Sequence, residues 1–194
     1  MIGDRSWLLC VLDIVFELGD PVFQKYVWKQ GIGPFMSCQT EAICGFEDYS
    51  APLLINDLAL CEKLGLSPED QKSLAFFAES LDEYNNYTAG KYTIYTSDEI
   101  VLSDPKWILI TKHAQELRDK LWPFYKRLCE ESASDADEVN REGVLLRLWV
   151  PSRIVEKLIK DPSPKVAERA YEKLKKQKLL EEWHKDTDFM NGWD

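Results

Sequence analysis

Apolar residues recur at steps of three and four along most of the chain, and the interruptions fall at proline, glycine or acidic turns, which predicts helices and loops rather than a sheet. Trp7, Leu8, Val11, Leu12, Val15 and Leu18 form the first stripe, and Gly19-Asp20-Pro21 ends it. Pro21 suits the first turn of a short second helix running to Trp28, with Phe23 and Val27 inward, before Gly31-Ile32-Gly33-Pro34 breaks it. A short helix over Thr40 to Phe46, an acidic turn at Glu47-Asp48, and an apolar run from Leu53 to Leu64 with Leu54, Leu58, Cys61 and Leu64 on one face come next. Ser67-Pro68-Glu69-Asp70 is a strong helix start: a hydroxyl cap, a proline at the first position and two acids at the positive end of the dipole. Leu74, Phe77, Ala78, Leu81 and Tyr84 line the helix it opens.

Residues 85 to 97 are polar and tyrosine-rich, and Lys91 to Thr96 has the composition of a short strand. Ser103-Asp104-Pro105 opens the longest helix, with Trp107, Ile110, Ala114, Leu117, Leu121, Phe124 and Leu128 on its stripe and a kink or local break expected at Asp119 to Pro123. Residues 131 to 143 are acidic and small and read as a mobile linker. Val144 to Val150 suits a strand or a helix. Ile154, Val155, Leu158 and Ile159 then mark one helix, and Val166, Ala170, Leu174, Leu180 and Trp183 another, joined by Asp161-Pro162-Ser163-Pro164. That pair is similar to one unit of a HEAT-type repeat, with no second copy at a fixed period. The expected fold is all-α, mainly a helical bundle with at most one short strand pair. It divides into an acidic core over 1–130, a linker over 131–143 and a helical-pair appendage over 144–194.

Composition narrows the function classes. Of 194 residues, 45% are hydrophobic and 12% aromatic, enough to build a core. The 24 Lys and Arg against 34 Asp and Glu leave a net charge of −10, which disfavours nucleic acid and anionic membrane surfaces as partners. The acidity is uneven: 12 basic and 24 acidic side chains over 1–140, 12 and 10 over 141–194. Asp13 interrupts the apolar stretch from Trp7 to Phe16, and neither a basic leader nor a small-residue cleavage site accompanies it, so no secretory signal is expected. No run approaches about 18 apolar residues, so no membrane span is expected. Five cysteines at irregular spacing, without a paired motif, suit reduced thiols in the cytoplasm.

Catalytic signatures are lacking. Gly31 and Gly33 have neither a preceding strand nor a following Lys-Ser/Thr and so make no phosphate loop. His113 with Glu116, and Glu181 with His184, have the three-residue spacing of metal-binding helices, but the first is in reversed order and further core glutamates are lacking. No metal, cofactor or enzyme activity is expected. No G-x-S-x-G elbow is present, and an acid–base pair such as Asp82 and Glu83 is as readily a solvated helix surface. Glu41, Glu47, Asp48, Asp57, Glu79, Asp82 and Glu83, if they share a face, would steer a basic partner.

The stretch Asp20-Pro21-Val22-Phe23-Gln24-Lys25-Tyr26-Val27-Trp28, the acidic Phe46-Glu47-Asp48-Tyr49 and the Leu102-Ser103-Asp104-Pro105-Lys106-Trp107 helix opening together resemble a group of small bacterial proteins of the polymorphic-toxin and contact-dependent growth-inhibition immunity type, over about residues 5 to 130. The resemblance implies a cytosolic protein that covers a cognate toxin, and it transfers no functional residues. On the residues themselves, Trp28, Tyr84, Tyr87 and Tyr92 are the expected aromatic anchors and Glu47, Asp48, Asp82 and Glu83 the charge partners of such a contact. Two alternatives stand beside it: an adaptor using a basic cluster at Lys173, Lys175, Lys176 and Lys178, and a small helical enzyme with a site near His113.

Overall fold

A computed structural model describes residues 4–35, 37–49, 51, 55–92 and 96–185. The chain is all-α, and among the described residues no strand occurs. The helices are α1 (Asp4–Leu18), α2 (Pro21–Phe23), which continues as a π-helical stretch over Gln24–Lys29, α3 (Gln39–Asp48), α4 (Leu58–Leu64), α5 (Pro68–Thr88), α6 (Asp98–Leu102), α7 (Pro105–Ala133), α8 (Glu138–Val144), α9 (Ser152–Leu158) and α10 (Pro164–His184). The cap expected at Ser67 is in place, its Oγ accepting from Asp70 N at 3.1 Å, and two further caps join it: Asp20 accepts from Val22 N and Phe23 N at 2.9 Å, and Ser163 Oγ accepts from Val166 N at 3.4 Å. Each satisfies amide groups that the first turn of a helix leaves without partners.

The chain forms two compact units, Ile14–Leu121 and Met1–Asp13 with Trp122–Asp194, so the divisions fall inside α1 and α7. This differs from the expected split into 1–130, 131–143 and 144–194. The supposed linker is largely helical: α7 runs to Ala133, with Ser132 and Ala133 buried, and α8 starts at Glu138. Its middle is held by Arg141, whose guanidinium donates to the carbonyls of Asp135 and Ala136 at 3.0 and 2.9 Å and pairs with the buried Asp161.

In the Ile14–Leu121 unit the core is Phe16, Phe23, Val27, Trp28, Phe46, Leu74, Phe77, Leu81, Tyr84, Trp107, Ile110 and Ala114. Rings carry much of it: Phe46 meets Phe77 edge-on at 5.9 Å, and Trp107 lies 5.9 Å from Trp28 and 5.2 Å from Tyr84. Gly19 fits against the backbone of α7, where a Cβ would stand 2.9 Å from Ala114 C and Gln115 N. In the other unit α1 contributes Leu8, Leu9, Val11 and Leu12, α7 contributes Tyr125, Leu128 and Cys129, and the α9–α10 hairpin contributes Ile154, Val155, Leu158, Val166, Ala170 and Leu180.

Three local expectations are corrected. The local break expected near Pro123 does not occur: α7 runs through it from Pro105 to Ala133, with Leu121, Tyr125 and Leu128 fully buried on either side. Past the proline it is Tyr125, not Phe124, that turns inward, because the Tyr125 hydroxyl finds Asp13 while Phe124 lies under the Arg127 guanidinium at 5.0 Å. The helix expected through Leu53 to Leu64 is Leu58–Leu64, with Leu58 exposed and Cys61 buried; Leu53 and Leu54 lie outside the described residues. Residues 93–95, the middle of the expected strand, also lie outside them. Val144 ends α8, and 145–151 is a connection rather than a strand.

Candidate functional site

Of the acidic side chains singled out from sequence, Glu41, Glu47 and Asp48 lie on α3 and Glu79, Asp82 and Glu83 on α5 of the Ile14–Leu121 unit, whereas Asp57 stands apart as the cap of α4, accepting from Leu60 N at 3.0 Å. Phe46 on Phe77 and the Gln39 amide, donating to the Tyr84 hydroxyl at 3.2 Å, lock α3 onto α5. Asn85 Nδ2 then donates to Glu47 Oε1 at 3.0 Å, which brings the end of α3 beside the last turns of α5. Asp82 sits one turn before Asn85 on the same stripe, with Glu79 and Glu83 flanking it. Glu47, Asp48, Glu79, Asp82 and Glu83 are all exposed. None of them has a Lys or Arg partner among the described residues, whereas Glu69, Asp70, Glu99, Asp104 and Glu116 in the same unit each do. Glu47 and Asp48 also close α3, whose last turn holds no base, so their charge adds to the negative end of the helix dipole. This unit carries 9 basic and 17 acidic side chains, net −8 of the chain's −10.

The aromatic expectations fare differently. Trp28 and Tyr84 are 5% and 2% exposed and cannot present themselves to a partner. Trp28 Nε1 donates to Glu17 Oε1 at 3.0 Å, and burial pushes the Tyr84 hydroxyl up to about 12. Tyr87 and Tyr92 turn back onto their own unit. Their hydroxyls both donate to the buried Asp104, which also takes Lys91 Nζ at 2.8 Å and Lys106 N at 2.8 Å. Burial alone would raise the Asp104 carboxyl, but Lys91, Tyr92 and the Lys106 amide outweigh it and hold the group well below the usual carboxylate range. Lys91 is raised in turn, chiefly by its hydrogen bond to Asp104, and lies 4.1 Å above the Tyr87 ring. Tyr87 keeps an exposed edge, as does Tyr49 beside Glu47 and Asp48. Sequence reasoning missed Tyr49 because one aromatic after an acidic turn has no periodic signal.

His113 and Glu116 lie on α7, and the His113 ring is 5.7 Å from Phe76 of α5. His184 is buried in the other unit with Nδ1 2.7 Å from Leu180 O, while Glu181 faces out to Ser152 Oγ, so the two do not converge on a common site. Lys173, expected on a basic surface, is buried instead. Its Nζ donates to Arg147 O and, at 3.1 Å, to Leu148 O, and burial brings its pKa down to about 8. Lys175, Lys176 and Lys178 remain exposed on α10.

Lys173 belongs to a buried polar cluster that pattern reading did not anticipate. Asp13 accepts from the Tyr125 hydroxyl at 2.6 Å and Leu148 N at 3.1 Å, with Arg147 Nη1 3.7 Å away. Burial raises the Asp13 carboxyl, against the pull of Arg147, Tyr125 and Leu148. Its sequence signal was the charge itself, set inside the apolar face of the first helix.

A scan of protein-family models finds no match to the chain, and searches of curated proteins and of solved structures find none either.

Proposed function

We propose that this chain is a non-enzymatic protein-binding protein whose Ile14–Leu121 unit offers the α3–α5 acidic face to a basic partner. The form of this function that the resemblance implies is neutralisation of a bacterial toxin by an immunity protein in the cytoplasm. The observation that supports it is the set of exposed acids at Glu47, Asp48, Asp82 and Glu83, left without cationic partners although other acids of the same unit have them. Such a field raises association rates for a cationic surface by about ten- to a thousandfold, an effect that salt screens. Tyr87 and Tyr49 are the aromatic groups placed to add contact area at its margin.

Affinity capture of the tagged chain from its native cells at moderate salt, with mass spectrometry of the retained proteins, tests this reading. A basic protein domain retained in near-stoichiometric amount is the expected result. Reversal of Glu47, Asp48, Asp82 and Glu83 to lysine should then slow its association at least about tenfold and flatten the salt dependence. Unchanged kinetics would remove the acidic face from the contact.

A further inference from the structure

A cleft of about 450 Å³ opens between α5 and α7, in the range of small-molecule sites. Phe76, Phe77 and Leu117 supply its apolar wall, with His113, Ser73 and Lys72 among the polar groups around it. Phe76 is 59% exposed, a large outlay of apolar surface, with its ring tilted against the His113 imidazole at 5.7 Å.

Two features of the polar groups restrict what can sit there. His113 Nδ1 is buried without a hydrogen-bond partner among protein atoms. A bare ring nitrogen costs less in that position than an unsatisfied N–H, which favours the tautomer that leaves Nε2 as the N–H donor. The charged groups around the cleft are also accounted for, with one exception. Lys120 pairs with Glu69 at 3.4 Å and Asp70 at 3.2 Å, and Lys112 with Glu116 at 3.9 Å. Lys72 has no ion-pair partner among the described residues and stands one turn from Phe76 on the same face of α5. The site therefore combines an aromatic wall, an imidazole N–H donor and one uncommitted cation.

We propose that the α5–α7 cleft binds a small aromatic carboxylate, its ring against Phe76 and His113 and its carboxylate shared between His113 Nε2 and Lys72. None of the residues lining the cleft belongs to the acidic set on α3 and α5, and the proposal does not depend on the protein-binding reading.

The chain holds only two histidines, which makes the test direct. Phenylacetate and indole-3-acetate are titrated into the full chain while the two imidazole Cε1–H proton resonances are followed. The His113 signal should shift saturably and the His184 signal, from a ring buried in the other unit, should stay in place. Phenylacetamide should shift His113 much less. Lys72→Gln changes an exposed side chain and should weaken the carboxylate by roughly two- to fivefold, the worth of one partly exposed charge pair. Phe76→Ala should abolish saturation while fluorescence from Trp28 and Trp107, buried in the same unit, reports that the unit stays folded. No shift of His113 at 10 mM-scale ligand, about the weakest binding a cleft of this kind is worth, equal response to the amide, or equal movement of both histidines overturns the proposal.

Discussion

Replacing Asp13 separates two roles that its buried cluster combines, accepting hydrogen bonds and carrying charge. The carboxylate serves the Tyr125 hydroxyl on one oxygen and Leu148 N on the other, and both donors lie where water has little access. Asp13→Ala removes both acceptors at once. Each of the two donors left unsatisfied costs about 1–3 kcal/mol, on top of the counter-charge that any neutral residue here takes from Arg147 and Lys173. Asp13→Asn is the discriminating variant. Its one amide oxygen still serves Leu148 N, and the Tyr125 hydroxyl can rotate to accept from the amide N–H. The charge it removes is one that burial penalises, because the Asp13 carboxyl is raised above its ordinary value. Asparagine loses the same charge but keeps both hydrogen bonds, so it should be more stable than the alanine variant by at least about 1–3 kcal/mol, the cost of one unsatisfied donor. The contact from Trp149 Nε1 to the Asp13 carbonyl at 3.1 Å survives both changes and keeps the docking geometry comparable.

The assay is urea unfolding followed by circular dichroism at several pH values. In the wild-type chain a raised folded-state pKa means that the folded form binds the extra proton between the unfolded value of 3.8 and the folded one. This contribution is thus fully present below 3.8, falls as pH rises through the folded pKa, and is constant above it. Asp13→Asn should lack that slope. An asparagine variant as damaged as the alanine variant would show that charge, not hydrogen bonding, is what the cluster requires, and would refute the reasoning.

Lys173→Met should remove a second slope. Burial lowers Lys173 to about 8 from 10.5, so the unfolded chain binds more protons in that window and wild-type stability rises with pH across it, a trend absent from the methionine variant in urea titrations at pH 7.5 and 10. Gly19→Ala places a Cβ 2.9 Å from the α7 backbone and should cost about 1–3 kcal/mol, read as a lowered urea midpoint. Arg141→Ala frees the connection between α7 and α8 by breaking four guanidinium hydrogen bonds, and limited proteolysis should then cut faster between Ser134 and Asp137.

Much of the helical architecture was legible because cap and stripe signals agreed. Ser67-Pro68 and Ser163-Pro164 both open helices where expected, and Leu74, Phe77, Ala78, Leu81 and Tyr84 are all buried on α5. The division of the chain was not legible. Composition changes near residue 140, yet the units divide within α1 and α7, since a helix can pass from one core to another without a break in its periodicity. The candidate site was half legible. Exposed acids follow from polarity, and the structure leaves them exposed. Whether an aromatic faces a partner or its own core depends on tertiary neighbours: Trp28 and Tyr84 complete a ring cluster around Trp107, and Asp104 gathers Tyr87 and Tyr92 inward. Lys173 reads as part of a basic surface run until Arg147 O and Leu148 O are seen beneath it.

The distribution of ion pairs carries the argument for the acidic face further than net charge does. In the unit containing Trp122–Asp194, Glu142 faces Lys165 and Arg169, Asp161 faces Arg141, Glu130 faces Arg153, and Glu131 faces Arg5 and Arg127. Its charges largely neutralise one another. In the Ile14–Leu121 unit the bases are fewer, and those at Lys29, Lys91 and Lys120 are committed to Glu99, Asp104, Glu69 and Asp70, which leaves the α3–α5 acids uncompensated. Setting two of them at the negative end of α3 makes that end less stable than a lysine there would, by about 0.3–1 kcal/mol per charge. A solubilising surface needs no such placement, because acids at helix starts would serve equally well and stabilise the fold. A cationic partner reverses the sign of that local cost, turning an unfavourable end of a helix into the place where its charge is most strongly attracted.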